Sequence, residues 1–262
     1  MIPGPSPADI EIRHCNTLEE FEECVRLEHL TWGPELAEPT GMFVVARHTG
    51  GQAFAAFDGP KMVGFTLAVV GTRAGRIFLH SHQTAVLPEY RDRGIGRALK
   101  LFQREDALRR GINLVEWTFD PLELKNAYFN FVRLGAVARR LIPNCYGITP
   151  SPLHSNIPTD RLVAEWWLDS ARVKAVLEGA PLASTGVTER IPLPSNISEI
   201  KTQDPEAAIR IQTGLRGQLQ KAFAGGQVAT SIETRTARTD YILEPHNRIP
   251  GLYLPDLSSS PH

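Results

Sequence analysis

The segment Ala85-Val-Leu-Pro-Glu-Tyr-Arg91-Asp-Arg-Gly94-Ile-Gly96-Arg-Ala98 constrains this chain more than any other stretch. A strand-like run ends at Pro88, two glycines follow, and an amphipathic stretch then places Ile95, Ala98, Leu99 and Phe102 on one stripe before Gly111 stops it. The pattern predicts strand, turn and helix, with the helix over 94–110. The first N–H groups of such a helix have no intrahelical partner, and its dipole adds about half a positive charge there. A helix start of this kind takes phosphate readily. Gly94 and Gly96 allow close approach to the backbone, and Arg91, Arg93 and Arg97 supply charge around Ile95. The plainer reading is a glycine turn capping a surface helix, with solvated arginines. The strand in front and the amphipathic helix behind favour the cradle. A dinucleotide fingerprint fails because Leu99 stands where its third glycine belongs, and the Gly-Lys-Ser/Thr of a Walker loop is absent.

Around this segment the chain alternates strands and helices. Ile10–Ile12 reads as a short strand, and Thr17-Leu-Glu-Glu20 as a capping box opening a helix that ends before Gly33-Pro34. Met42–His48 is a short helix or irregular stretch. Gln52–Phe57 and Met62–Val70 form a hairpin about Asp58-Gly59, and Ile77–Leu87 is the next strand. Beyond the cradle come a strand over 113–119, a helix over 124–134, and strands over 137–142 and 162–168. The fold class expected is α/β (α+β), a mixed sheet with helices on its faces. Residues 1–169 make one domain on this reading and 170–262 a smaller αβ extension. In the extension Asp204 caps a helix with Pro205 in its first turn, Val228–Ile232 and Tyr241–Leu243 pair as strands, and the tail from Ser258 is expected to be disordered.

Composition limits the partners. A net charge of -1 gives no basic excess, so a nucleic-acid partner is not expected. The run Arg91–Lys100 holds four cations against one anion, which suits a small polyphosphate better than a polymer. Three cysteines, Cys15, Cys24 and Cys145, form no paired framework and fit a reducing cytoplasm. Met1–Asp9 does not read as a signal peptide, and no apolar run reaches the ~20 residues that span a bilayer.

His80 and His82 stand two apart on the strand that leads into the cradle, so their side chains share a face. An imidazole, with an ordinary pKa of about 6.5, can take a proton near neutral pH. The pair could instead be two satisfied polar residues, or part of a zinc site for which no third ligand is evident. Asn126 and Asn130, four apart on one predicted helix, could bond amide groups of a ligand or simply face solvent. Glu116 is a reserve base, or more commonly an arginine partner. Trp117, Trp166 and Trp167 read as packing residues.

Arg91-x-x-Gly94-x-Gly96 resembles the Q/R-x-x-G-x-G/A motif of the GNAT acyltransferases, and the resemblance covers residues 10–168 in order and length. It implies acetyl-CoA or another acyl-CoA as co-substrate, with pyrophosphate at 91–97 and pantetheine along the main chain of Ala85 and Val86. It also implies a bulge in the strand before the cradle. His80-Ser-His82-Gln-Thr-Ala85-Val86 is similar to the H-x-H-x-x-A-V of arylalkylamine N-acetyltransferases, which implies a base or relay role for both histidines. One departure stands out: where the family often has a thiolate-protonating tyrosine, this chain has Phe131, with Tyr128 one turn earlier. Asn126-Ala-x-Phe-Asn130 and Asp160-Arg-Leu-Val-Ala-Glu-Trp166 resemble a bacterial branch that implies an amino acid or small amine as acceptor, with acetyl or succinyl donors. The function expected is N-acyl transfer to a small-molecule amine. The alternative is an acyl-CoA sensor without turnover. The extension could wall off the acceptor pocket, form a homodimer contact, or stabilise the fold.

Overall fold

The computed structural model describes residues 10–34, 37–147, 157–182, 186 and 189–249. The chain divides into two compact units, with the boundary after Val115. Both carry mostly antiparallel strands flanked by helices, the α/β class expected.

In the first unit, β1 (Glu11–His14), β2 (Gln52–Asp58), β3 (Lys61–Arg73) and β4 (Arg76–Val86) lie side by side in chain order, each antiparallel to the next. Helix α1 (Leu18–Trp32) begins with the expected capping box. Thr17 accepts from the Glu20 backbone, and Glu20 accepts from the Thr17 backbone. Its buried residues are Phe21, Cys24, Leu27 and, unexpectedly, Glu28, whereas Leu18 is exposed. Helix α2 (Thr40–His48) resolves the stretch left open between helix and irregular chain. Helix α3 (Ile95–Arg109) follows a single turn of tighter helix at Pro88–Tyr90.

Cross-strand register sorts the two faces of this sheet. Phe65 lies opposite Ala55, and it meets Phe43 of α2, which stacks on Phe21 of α1. Gln52 and Phe54 point the other way, towards Gln103 and Phe102 of α3. Burial on both faces explains the apolar run of β2, which shows no alternation. Close approach also fixes Gly64: a Cβ there would sit 2.8 Å from the Ala85 carbonyl.

The second unit begins within β5 (Leu114–Phe119), and its strand order continues with β7 (Arg161–Trp167), β6 (Val137–Ile142), β9 (Gln227–Thr234), β10 (Arg238–Pro245) and β8 (Glu189–Pro194). β9 joins the outer side of β6, so residues after 169 prolong the sheet. Helices α5 (Ala171–Glu178) and α6 (Ile197–Gln203) were not read in the sequence, and neither was β8, whose Pro192 and Pro194 argue against a strand. Helix α7 (Pro205–Ala224) starts as expected, with the Asp204 carboxylate accepting from the Ala207 backbone. The helix predicted over 124–134 is interrupted. Helix α4 covers Leu124–Tyr128, and Phe129–Arg133 widens into a π-helical turn, a form enriched at functional sites. The expected disordered tail and the residues before Ile10 lie outside the described residues. No described helix is long and apolar enough to cross a membrane.

Candidate active site

The cradle is built from β4, the turn and α3, all in the first unit. Asp92 and Gly94 both have positive φ, at 59° and 81°, with an ordinary residue between them. Such alternation turns successive N–H groups into a concavity that fits an anion. Gly94 is the residue before α3, so that concavity opens on the unpaired N–H groups of Ile95 and Gly96. Gly96 has ordinary backbone, and a Cβ there would meet only Val86 Cγ2, at 3.9 Å. Arg91 Nε donates to the Val86 carbonyl at 3.1 Å, which ties the turn back to the end of β4. Arg93 lies over the Tyr90 ring, 5.3 Å from its centre, and Tyr90 donates to Asp58 at 2.7 Å. Arg91 is exposed and Arg93 and Arg97 half-exposed, so their charge is available around the turn.

Lys100 behaves differently from the other three cations of the run. It is buried, and its ammonium donates to Ser81 Oγ at 2.7 Å and Gln103 Oε1 at 3.0 Å. Burial lowers its pKa to about 7. It therefore belongs to the interior, and the polyphosphate reading of the run rests on the arginines.

The two histidines come together. Their ring centres are 6.3 Å apart. The register of β3 and β4 slips here, Leu67 facing Gln83 and Ala68 facing Ser81, so His82 is an extra residue in β4. This is the bulge that the resemblance implied, and bulges re-aim side chains. His80 lies opposite Val69, on the α1 and α2 face. Ser81 points to the other face, towards α3.

Two further residues complete the cluster, and neither was singled out in the sequence. Glu38 Oε1 lies 2.8 Å from His82 Nε2. Both side chains are about 30% exposed, so a solute can reach them. The backbone N–H of Glu38 donates to Glu28 Oε2 at 2.6 Å, and Glu28 is fully buried on α1. Burial, opposed by that N–H donor and reinforced by the Glu38 charge, raises the Glu28 pKa to about 7. Glu28 carried a signal: it continues the buried stripe of Phe21 and Cys24, where a carboxylate is rare. Glu38 carried none, since its contact spans 44 positions.

The remaining candidates lie in the second unit. Asn126 is exposed, whereas Asn130 is 3% exposed and accepts from Trp117 Nε1 at 3.3 Å. The π-helical turn begins between them, so they do not present their amides alike, as an unbroken helix would have allowed. Asn130 Nδ2 is buried and has no partner among the described residues. Glu116 takes the arginine-partner reading: Arg140 Nη2 donates to it at 2.6 Å. Arg139 and Arg140 sit opposite Val163 in a second bulge, and both reach Glu165. Phe131 is fully buried, edge-on to Phe119 and Tyr241. Tyr241 cannot stand in for the missing hydroxyl, because it donates to the Pro121 carbonyl at 2.6 Å and burial raises its pKa well above the ordinary value. Tyr128 is 48% exposed.

Comparison with known proteins agrees with this architecture. Residues 13–131 match the sequence profile described as the acetyltransferase (GNAT) family. No curated protein sequence matches the chain. Among solved structures, a protein described as a GNAT-family acetyltransferase from Desulfovibrio desulfuricans is 16% identical, with a TM-score of 0.50 over 61% of this chain and 99% of that one. The protein smu.2055 from Streptococcus mutans is 17% identical, with a TM-score of 0.51 over 61% of this chain and 99% of its own. The structure of yncA from Salmonella typhimurium, determined with acetyl-CoA, is 13% identical, with a TM-score of 0.51 over 62% and 95% of the two chains. Identities this low speak for the fold, while the profile match speaks for the family. Residues 13–131 thus carry the part of the chain that matches the acetyltransferase (GNAT) family.

Proposed function

We propose that the chain transfers an acetyl or succinyl group from coenzyme A to a primary amine of a small molecule, an amino acid being the acceptor class favoured by its resemblances. The observation that carries this reading is the placement of two functions on one strand. β4 holds His80 and His82 in its bulged half and runs directly into the Asp92–Gly96 concavity. The donors and charge there suit the pyrophosphate of an acyl-CoA. That yncA was solved with acetyl-CoA supports the same co-substrate.

The chemistry asked of this chain is removal of one proton. Once the ammonium has given that proton to the base, the amine attacks the thioester carbonyl and the C–N bond forms; the C–S bond then breaks, and the second nitrogen proton passes to the departing thiolate directly or through solvent. With its Nε2 proton donated to Glu38, His82 presents the lone pair of Nδ1 as the base. Glu38 fixes that tautomer and stabilises the imidazolium formed, as a carboxylate does behind any catalytic histidine. His80 extends the cluster as a relay. Coenzyme A thiolate is a fair leaving group, so Phe131 is compatible with turnover. Asn126 and Asn130 are kept as proposed amide-bonding residues, of which Asn126 is the exposed one. A dimer and a cytoplasmic setting belong to the same proposal.

The test is thiol release from acetyl-CoA and succinyl-CoA with pooled amino acids and amines. Acceptor-dependent release supports transfer, and splitting the pool names the acceptor. Coenzyme binding without release for any pool moves the reading to a sensor, and absence of binding overturns the cradle.

A further inference from the structure

We propose that Lys100 is a positioning residue for acyl transfer: through Ser81 it ties the bulged histidine segment of β4 to the helix whose first turn forms the phosphate cradle. The inference rests on the reading of both features given under Proposed function, and goes beyond it by linking them.

Ser81 lies between His80 and His82 in sequence, yet its side chain points through the sheet to the α3 face. It is 4% exposed. A bulge leaves its extra residue outside the regular ladder, so backbone pairing at His82 constrains the histidine segment weakly. The 2.7 Å bond from Lys100 to Ser81 supplies a side-chain constraint at that point. Lys100 itself is six residues along α3 from Gly94, on a rigid helical rod. The cradle and the histidines are thus held to one frame.

A lysine is a costly way to hold a serine, because burying an ammonium opposes its charge. Here the cost is offset by a directed chain of amides. Lys100 donates to Gln103 Oε1, Gln103 Nε2 donates to Gln52 Oε1 at 3.0 Å, and Gln52 Nε2 donates to Asp106 Oδ2 at 2.8 Å. Every donor points from the ammonium towards the carboxylate. The chain therefore acts as an ion pair extended through two side-chain amides, each dipole favouring both charges. Asp106 also accepts from Arg109 and Arg110 and pairs with His14 Nε2 at 3.3 Å. This anchors the network across β1, β2, β4 and α3. A hydrophobic residue would pack at position 100 without such an apparatus; what the apparatus adds is a fixed position for Ser81.

The experiment uses the full chain with Lys100→Met, Ser81→Ala, the double variant and His82→Ala. It measures kcat, calorimetric affinity for coenzyme A, melting temperature, and the NMR signals of the His80 and His82 ring protons. For Lys100→Met we expect kcat to fall about ten- to a hundredfold, the scale of a misplaced catalytic group, while coenzyme affinity stays within about twofold. The histidine signals should move. Ser81→Ala, which removes one hydroxyl and keeps the helix packing, should reproduce the kcat loss with a smaller fall in melting temperature than Lys100→Met. The double variant should be no worse than the worse single, as for two residues acting through one bond. Unchanged kcat in Ser81→Ala overturns the proposal, as do additive losses or unmoved histidine signals. If His82→Ala loses turnover while Ser81→Ala does not, the link fails and the histidine reading stands. If His82→Ala keeps full turnover, the histidine reading fails and the link with it.

Discussion

Glu38 and His82 stand 44 positions apart in the chain and 2.8 Å apart in the fold, one on the segment before α2 and the other on a strand bulge. Removing the carboxylate leaves the imidazole in place but releases its tautomer and orientation. Glu38→Ala should therefore lower kcat by roughly ten- to a hundredfold and leave the coenzyme KM unchanged. His82→Ala should cost more, on the order of 10²- to 10⁴-fold in kcat. Steady-state kinetics with a saturating acceptor checks both, and an equal rise in coenzyme KM would count against this assignment.

Glu28 makes stability depend on pH in an unusual direction. Its pKa is raised to about 7 in the fold, from about 4.5 when unfolded. Between these values the folded chain binds the extra proton, so its contribution is fully present below pH ~4.5 and lost as pH rises through ~7. Glu28→Gln keeps an acceptor for the Glu38 backbone but cannot ionise. Urea unfolding should show the variant more stable than the parent at pH 8, by on the order of 1–3 kcal/mol, and about equal near pH 5. A constant difference at both pH values would refute it.

The two cradle glycines should respond differently to alanine. Gly94 holds φ of 81°, which costs an L-residue roughly 1 kcal/mol or more and would disturb the anion concavity. Gly96 has open space and ordinary backbone. Calorimetry should show weaker coenzyme binding, by about tenfold, in Gly94→Ala, and little change in Gly96→Ala.

Restoring a tyrosine at position 131 should do harm. Phe131 is fully buried between Phe119 and Tyr241, so a hydroxyl there enters an apolar contact. Phe131→Tyr should lower stability by about 1–3 kcal/mol and give no rise in kcat. A faster variant with an unchanged melting temperature would show that the hydroxyl reaches the reacting groups.

What the sequence made legible were features written in adjacent residues. The capping box at Thr17 and Glu20, the Asp204–Pro205 helix start and the glycines of the cradle are each settled within one turn of chain. The features that escaped are settled by distant partners. In the sequence Lys100 counts with the cradle's arginines, and only Gln52 and Ser81, arriving from other strands, draw it with Gln103 and Asp106 into a buried network. Glu38 looks like a loop residue until β4 bulges towards it. The π-helical turn at 129–133 is invisible to a periodicity that assumes 3.6 residues per turn.

β8 ends the second unit's sheet, and its two prolines decide what that border can do. Pro192 and Pro194 face Asp240 and Arg238 within a ladder that continues unbroken along β10. The N–H groups they lack are therefore those that would point away from β10. A strand from another molecule, offered to this side, would meet carbonyls with two of the matching donors gone. The extension thus lengthens the sheet and then closes it to growth, so two copies of the chain are steered away from zipping together along β8.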